Sequence, residues 1–214
     1  SGETGSSMAC CLLCFDDGPT GSERDAFGRT WQTGMKDAPC AEPLCYLGAC
    51  CCWGCAAAKQ RQEVLGGSLQ NYSCCQGYFN CCCFKAGTLG EDQCPEGYLC
   101  VEAFCCTHFA IQANRFYMMD TRQIQPDPCD NQIIRCYNAL LCLTFLFEFA
   151  ACITGNDELS DAATILRMIV DLMYATIMPC MIAQVHHELN AEKSGKVPGP
   201  GAAPTNLTMN REPP

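Results

Sequence analysis

The chemistry this chain can do is carried by sulfur. Cysteines stand side by side at Cys10-Cys11, Cys50-Cys51-Cys52, Cys74-Cys75, Cys81-Cys82-Cys83 and Cys105-Cys106. Adjacent cysteines rarely bridge each other, because disulfide geometry is demanding. They can serve two metal centres or share one. The chain has 23 cysteines, an odd number that a fully paired disulfide framework would leave with one thiol over. Of these, 15 fall between residues 40 and 106. In a reducing compartment thiolates bind zinc, four to an ion in a closed structural site. The expected cofactor is therefore zinc, at about two to four sites. The expected ligands are drawn from Cys45, Cys50, Cys51, Cys52, Cys55, Cys74, Cys75, Cys81, Cys82, Cys83, Cys94, Cys100, Cys105 and Cys106.

Two spacings invite a second chemistry. Cys11-x2-Cys14 and Cys52-Trp53-Gly54-Cys55 suit either a redox dithiol or half a zinc knuckle. A redox site would need a βαβ context, which the sequence lacks, so zinc is the expectation for both. His108 follows Cys105-Cys106 closely; the ordinary reading is a partly buried ring rather than a ligand. His186-His187-Glu188 lie near a helix C-terminus, where adjacent rings point to different faces and favour the dipole rather than share a metal. Cys142, Cys152 and Cys180 sit in apolar surroundings and read as small core hydrophobes. No nucleophile–base–orienter set, phosphate-cradling Gly loop or His-x-Glu deaminase pattern appears, so no enzyme is expected.

The elements that must hold these residues divide by composition. A length of 214 residues suits one domain or two small ones, and 49% hydrophobic residues can fill a core. A formal charge of −10 argues against nucleic acid as a partner. Residues 1–39 read as an irregular N-terminal segment and 40–130 as a cysteine-rich metal-binding domain. Residues 131–190 read as a helical hairpin and 191–214 as a Pro/Gly-rich tail. Within the cysteine-rich domain, residues 55–63 are good helix formers up to Gly66-Gly67. Residues 68–95 read as metal-pinned loop, and Tyr98 to Met119 as helix. Cys45-x4-Cys50-Cys51 recurs as Cys100-x4-Cys105-Cys106. Each copy leads into a helical stretch with an arginine, Arg61 or Arg115, and places thiols at a helix start.

In the hairpin, 132–153 is almost wholly apolar, 154–157 is a turn, Ser160 is a candidate N-cap, and Ala162 to Leu189 forms the second helix. Its length approaches the membrane-spanning threshold. Asn138, Glu148, Arg167, Asp171 and Pro179 interrupt it, with Arg167 and Asp171 spaced to pair. Burial in the chain's own core or against a protein partner is the expectation, and a membrane the alternative.

One pattern runs Cys55…Arg61…Leu65-Gly66…Tyr72-Ser73-Cys74-Cys75-Gln76-Gly77-Tyr78…Cys94-Pro95-Glu96…Glu102-Ala103-Phe104-Cys105-Cys106. It continues through Arg115-Phe116, Cys129-Asp130-Asn131-x-Ile133-Ile134 and Glu158-Leu159-Ser160. Together these resemble a cysteine-rich eukaryotic family, common in plants and algae, with no assigned activity. More distantly, Cys-x4-Cys-Cys before an Arg-bearing helix is similar to the plant cadmium-resistance and cell-number-regulator proteins, which are linked to metal homeostasis and often to membranes. Gln132 stands where the plant relatives carry a second cysteine after Asp130-Asn131, leaving Cys129 without a co-ligand. The resemblance implies zinc and a helical fold.

The expected fold is mainly α: a cysteine-rich, zinc-stabilised loop-and-helix domain followed by a long antiparallel helical hairpin. The expected role is a non-enzymatic, zinc-binding structural or interaction protein in the cytoplasm, a subunit of a larger assembly with protein partners. Ser1-Gly2-Glu3-Thr4 fits loss of an initiator Met there, although a cleaved signal peptide would leave the same end. The alternatives are a membrane-associated metal-homeostasis protein with labile zinc and a two-helix membrane hairpin, and a secreted disulfide-rich scaffold.

Overall fold

The computed structural model describes residues 24–79, 86, 88–127 and 130–201, with the backbone alone for 130–135 and 138. Its secondary structure is helical: α1 Ala38–Ala41, α2 Pro43–Cys51, α3 Trp53–Val64, α4 Pro95–Cys105, α5 Thr107–Arg122, α6 Asp130–Thr154 and α7 Asp157–Lys193. Single 3-10 turns cover Arg24–Ala26 and Cys74–Gly77. Among the described residues, extended pairing amounts to one isolated bridge between Arg29 and Ile124. The mainly α fold expected from the sequence is the fold adopted.

The described residues divide into two compact units, one within 130–177 and one within 24–127 together with 178–201. The stretch expected as one hairpin, 131–190, is therefore shared between them: α7 gives 157–177 to the first and 178–193 to the second.

In the larger unit, α2 and α4 each open on a proline, whose missing N–H costs nothing in a first turn. Each closes on a cysteine. Cys52 (φ −149°, ψ 84°) ends α2 and caps α3; Cys106 (φ −128°, ψ 39°) ends α4 and caps α5. Neither residue is helical, so the single helix expected over 98–119 is broken at Cys106. The two junctions define a repeat of helix, kink and helix. Its register is 54 residues from kink to kink, one less than the cysteine spacing suggests. In that register Ala49 matches Ala103, both fully buried, and Leu47 matches Val101, 59% and 61% exposed. Arg61 matches Arg115, both buried. The paired thiols thus stand at the end of one helix and the entry of the next, rather than at a helix start alone.

α5 is the central element of this unit. Nearly every residue from Ala110 to Arg122 is buried. It ends where Gln123 turns left-handed (φ 55°), three residues beyond the expected end at Met119. Met178, Met181, Ile182, Val185 and Leu189 recur at helical spacing on α7 and are all buried. Val185 and Leu189 pack with Val64 and Met118, beside Trp31 and Tyr117. Ion pairs fasten the chain termini of the unit: Arg24 to Asp120 at 2.5 and 2.7 Å, Arg29 to Glu188 at 2.7 Å, and Arg122 to Glu192 at 2.9 Å. Tyr78 donates its hydroxyl to Asp120 at 2.6 Å.

In the smaller unit, α6 and the first part of α7 run antiparallel around a turn at Gly155-Asn156, with Gly155 left-handed (φ 63°). Asn156 accepts the N–H of Glu158 at 2.8 Å, so it, and not Ser160, caps α7. Tyr137 meets Tyr174, and Arg167 pairs with Glu148 across the hairpin rather than with Asp171 along its own helix. Ala163 and Val170 are buried. Leu143, Phe145, Leu146, Phe149, Ile153, Ile165, Met168, Ile169 and Leu172 are not: they stand 43–68% exposed. Among the described residues, burial of these side chains within their own unit, one of the sequence expectations, does not occur. Cys142 is half-buried and Cys152 exposed, so neither is the core residue expected.

Candidate thiol and metal site

The turn Cys74–Gly77 brings two thiols beside a carboxylate. Cys75 (φ 47°) and Gln76 (φ 50°) are consecutive non-glycine residues in the left-handed region, which side chains disfavour. Hydrogen bonds on every side hold them there. Ser73 N–H donates to Gln76 Oε1 at 2.8 Å, and Gln76 Nε2 donates to the carbonyl of Asn71 at 3.2 Å. Cys74 N–H donates to Glu91 Oε1 at 3.1 Å and Cys75 N–H to Glu102 Oε2 at 2.8 Å. Two carboxylates therefore pin the backbone of the cysteine pair.

Glu102 sits at the centre of a buried network. Arg61 Nη2 donates to its Oε1 at 2.7 Å, with both side chains 1% exposed or less. Tyr72 donates its hydroxyl to Oε2 at 2.8 Å. Arg61 also donates through Nε to Asn114 Oδ1 and through Nη2 to the carbonyl of Ala110, while Asn114 Nδ2 reaches the carbonyl of Ala57 at 3.0 Å. The network thus joins α3, α4, α5 and the 72–76 turn. Burial and the Glu102 charge hold the Tyr72 phenol well above its usual range.

Cys74 Sγ, Cys75 Sγ and a Glu102 oxygen lie within 4.8 Å of one another. The thiols of Cys74 and Cys75 hydrogen-bond, which lowers Cys74 and raises Cys75, the latter also through burial. Cys74 is thus the thiol of the pair that ionises first. Two thiols and a carboxylate are donors zinc accepts. Both Glu102 oxygens, however, already accept from Arg61, Tyr72 and Cys75. The fit to zinc rests on the sulfurs, with Glu102 as the wall behind them. Cys106 lies close enough to feel the charge of Cys74 and of Cys105, and its thiol is raised, chiefly by burial.

Cys52 and Cys55 are joined in a disulfide at the start of α3. In that state neither is the thiolate ligand the sequence suggests: three residues apart across a helix entry, their Cα atoms stand 5.4 Å apart, within bridging reach. Cys40, Cys50, Cys51, Cys94, Cys100, Cys105 and Cys106 are exposed. Cys45 is half-buried, and burial with the nearby Glu42 charge lifts its thiol to about 11. Among the described residues, Cys45, Cys94 and Cys100 belong to no group of three candidate ligands. Cys50 lies near Cys180, a half-buried thiol the sequence assigned to the core. Cys81, Cys82 and Cys83 lie outside the described residues, as do Cys10, Cys11, Cys14 and Cys129.

His108 is the partly buried ring the sequence suggests, whereas His186 and His187 depart from their reading. His108 lies tilted against Phe109, their ring centroids 3.7 Å apart, and burial lowers it to about 4. His187 Nδ1 lies 3.0 Å from Glu42 Oε1 and His186 Nε2 3.9 Å from Glu42 Oε2, so the adjacent rings meet one carboxylate. Burial opposes ionisation of Glu42, but hydrogen bonds from His187 and Asn190 and the two ring charges hold it net below its ordinary value.

Sequence reasoning missed Arg61, Tyr72, Glu91, Glu102 and Asn114 as the frame of the site. One signal was present: Glu102 is the single charge in the run Leu99-Cys100-Val101-Glu102-Ala103-Phe104. Comparison with family models, with curated proteins and with solved structures matches none of them.

Proposed function

We propose that this chain is a non-enzymatic, thiol-rich metal-binding module attached to a membrane by its helical hairpin. The observation that carries the reading is the bare apolar surface of α6 and the first part of α7. The most apolar 18-residue window of α7 is only 28% buried. α7 is long and apolar enough to cross a hydrocarbon layer of about 30 Å, and the apolar part of α6, residues 139–154, extends about 24 Å at a rise of 1.5 Å per residue. Of the charges inside the hairpin, Glu148 and Arg167 pair with each other and Asp171 adds its charge beside Arg167, which lowers the cost of taking them into lipid. The resemblance to plant metal-homeostasis proteins often found at membranes supports the same reading. Zinc is the metal proposed, held at Cys74 and Cys75 with Cys106 nearby.

Carbonate extraction followed by protease digestion tests the attachment. The expected result is a membrane pellet in which a fragment near 136–177 survives digestion. A chain that stays in the supernatant overturns the membrane reading and favours a protein partner on the same surface. Metal analysis of the purified chain tests the other half: zinc at one or more per chain is expected, falling in Cys74→Ser. A metal-free chain with free thiols overturns it.

A further inference from the structure

We propose that Cys52-Trp53-Gly54-Cys55 is a reversible redox centre that exchanges electrons with dithiols, a function separate from both the metal and the membrane readings. Sequence spacing alone left the motif undecided, and the absence of a βαβ pattern argued for zinc. The structure supplies what that argument lacked. The two sulfurs are bonded, and they lie at the entry of a 12-residue helix.

The placement is asymmetric in a way that suits exchange. Cys52 is the N-cap of α3, and its Sγ accepts the N–H of Cys55 at 3.4 Å. A thiolate there gains a hydrogen bond and the positive end of the helix dipole. Cys55 is exposed and Cys52 half-buried, so an incoming thiol reaches Cys55 more readily. Gly54 permits the arrangement. A Cβ at that position would stand 2.7 Å from the Phe104 ring and 3.0 Å from the carbonyl of Ala103, so only glycine lets the motif lie this close to α4.

The step balances as follows. One thiolate of a dithiol attacks Cys55 Sγ; the Cys52–Cys55 bond breaks, and Cys52 leaves as the thiolate stabilised at the helix entry. The second thiolate of the dithiol then attacks its own sulfur in the mixed disulfide and releases the Cys55 thiolate. The dithiol is oxidised to a disulfide; the motif takes up its two electrons and two protons as two thiols.

The test equilibrates the full chain with mixtures of reduced and oxidised dithiothreitol, quenches with acid, alkylates and maps the labelled cysteines by mass spectrometry. Helical circular dichroism is recorded at each ratio. Cys52 and Cys55 should change together, yielding two additional alkylated thiols per chain with helicity retained, and should re-form the bond when the ratio is reversed. Cys50→Ser and Cys51→Ser should leave this transition in place. When the oxidised chain is treated with limiting glutathione, a monothiol that cannot resolve the adduct, and quenched with acid, the trapped mixed disulfide should lie on Cys55, with Cys52 alkylated, about threefold or more over the reverse. A bond that survives excess reductant in the folded chain, or that opens only as helicity is lost, would make it a structural disulfide and overturn the proposal. So would a mixed disulfide found equally on both cysteines or mainly on Cys52, or transfer of the transition to Cys50 or Cys51.

Discussion

Glu102→Gln is the most direct probe of how the site is built. The substitution keeps the shape and an oxygen that accepts from Tyr72 and from the N–H of Cys75, so the loss falls on Arg61, which gives up both the charge and the acceptor at Oε1. Arg61 is fully buried, and its pair with Glu102 at 2.7 Å lies 0% and 1% exposed. Taking away one partner of such a pair leaves an uncompensated charge in the interior, a loss of about 3–5 kcal/mol. For a chain of this size that corresponds to a fall in Tm of about 6–20 °C. The assay is thermal and urea unfolding followed by circular dichroism, on the single variant and on Arg61→Met combined with Glu102→Gln. The double variant removes both charges and should recover a large part of the loss, because the penalty comes from the unpaired guanidinium. Bound zinc is measured alongside and should stay at the wild-type count, since both Glu102 oxygens are already occupied. A loss under about 1 kcal/mol, or a double variant as unstable as the two singles added, would refute the ion-pair account. A drop in zinc without a drop in stability would make Glu102 a ligand instead.

Further outcomes follow from other contacts. Gly54→Ala places a methyl group against the backbone carbonyl of Ala103 as well as the Phe104 ring, and should lower the urea midpoint by the equivalent of about 1–3 kcal/mol. His108, lowered to about 4 by burial, refuses a proton that the unfolded chain accepts below about 6.5. Stability is therefore full above that range and declines as pH falls towards 4, by about 2 kcal/mol between pH 7 and 5. His108→Phe should flatten that slope in paired urea titrations. Leu146→Ala, at a residue 48% exposed, should change stability by no more than about 0.5 kcal/mol, against about 2–5 kcal/mol for a leucine in a core; differential scanning calorimetry of the two chains decides.

Some of this protein was legible in its residues. Good helix formers between glycine and proline punctuation specified a mainly α chain, and the apolar stretches around Gly155-Asn156 specified an antiparallel hairpin, because helix periodicity and turn chemistry are local. The repeated cysteine pattern correctly marked two related segments. What locality could not supply was the backbone break at Cys52 and Cys106, which moves the repeat by one residue and places thiols at junctions. Nor could it show which sulfurs meet. Cys74, Cys75 and Glu102 converge because α4 and the 72–76 turn both pack around buried Arg61, a juxtaposition set by residues far apart in sequence. Glu42 meets both His186 and His187 for the same reason, and Arg167 chooses Glu148 across the hairpin over Asp171 along it. Along the sequence, the apolar residues of α7 continue on both sides of Arg167, Asp171 and Pro179. Only tertiary packing divides them, burying Met178, Met181, Ile182, Val185 and Leu189 and leaving Ile165, Met168, Ile169 and Leu172 exposed, because burial depends on what lies opposite a helix face and not on the face itself.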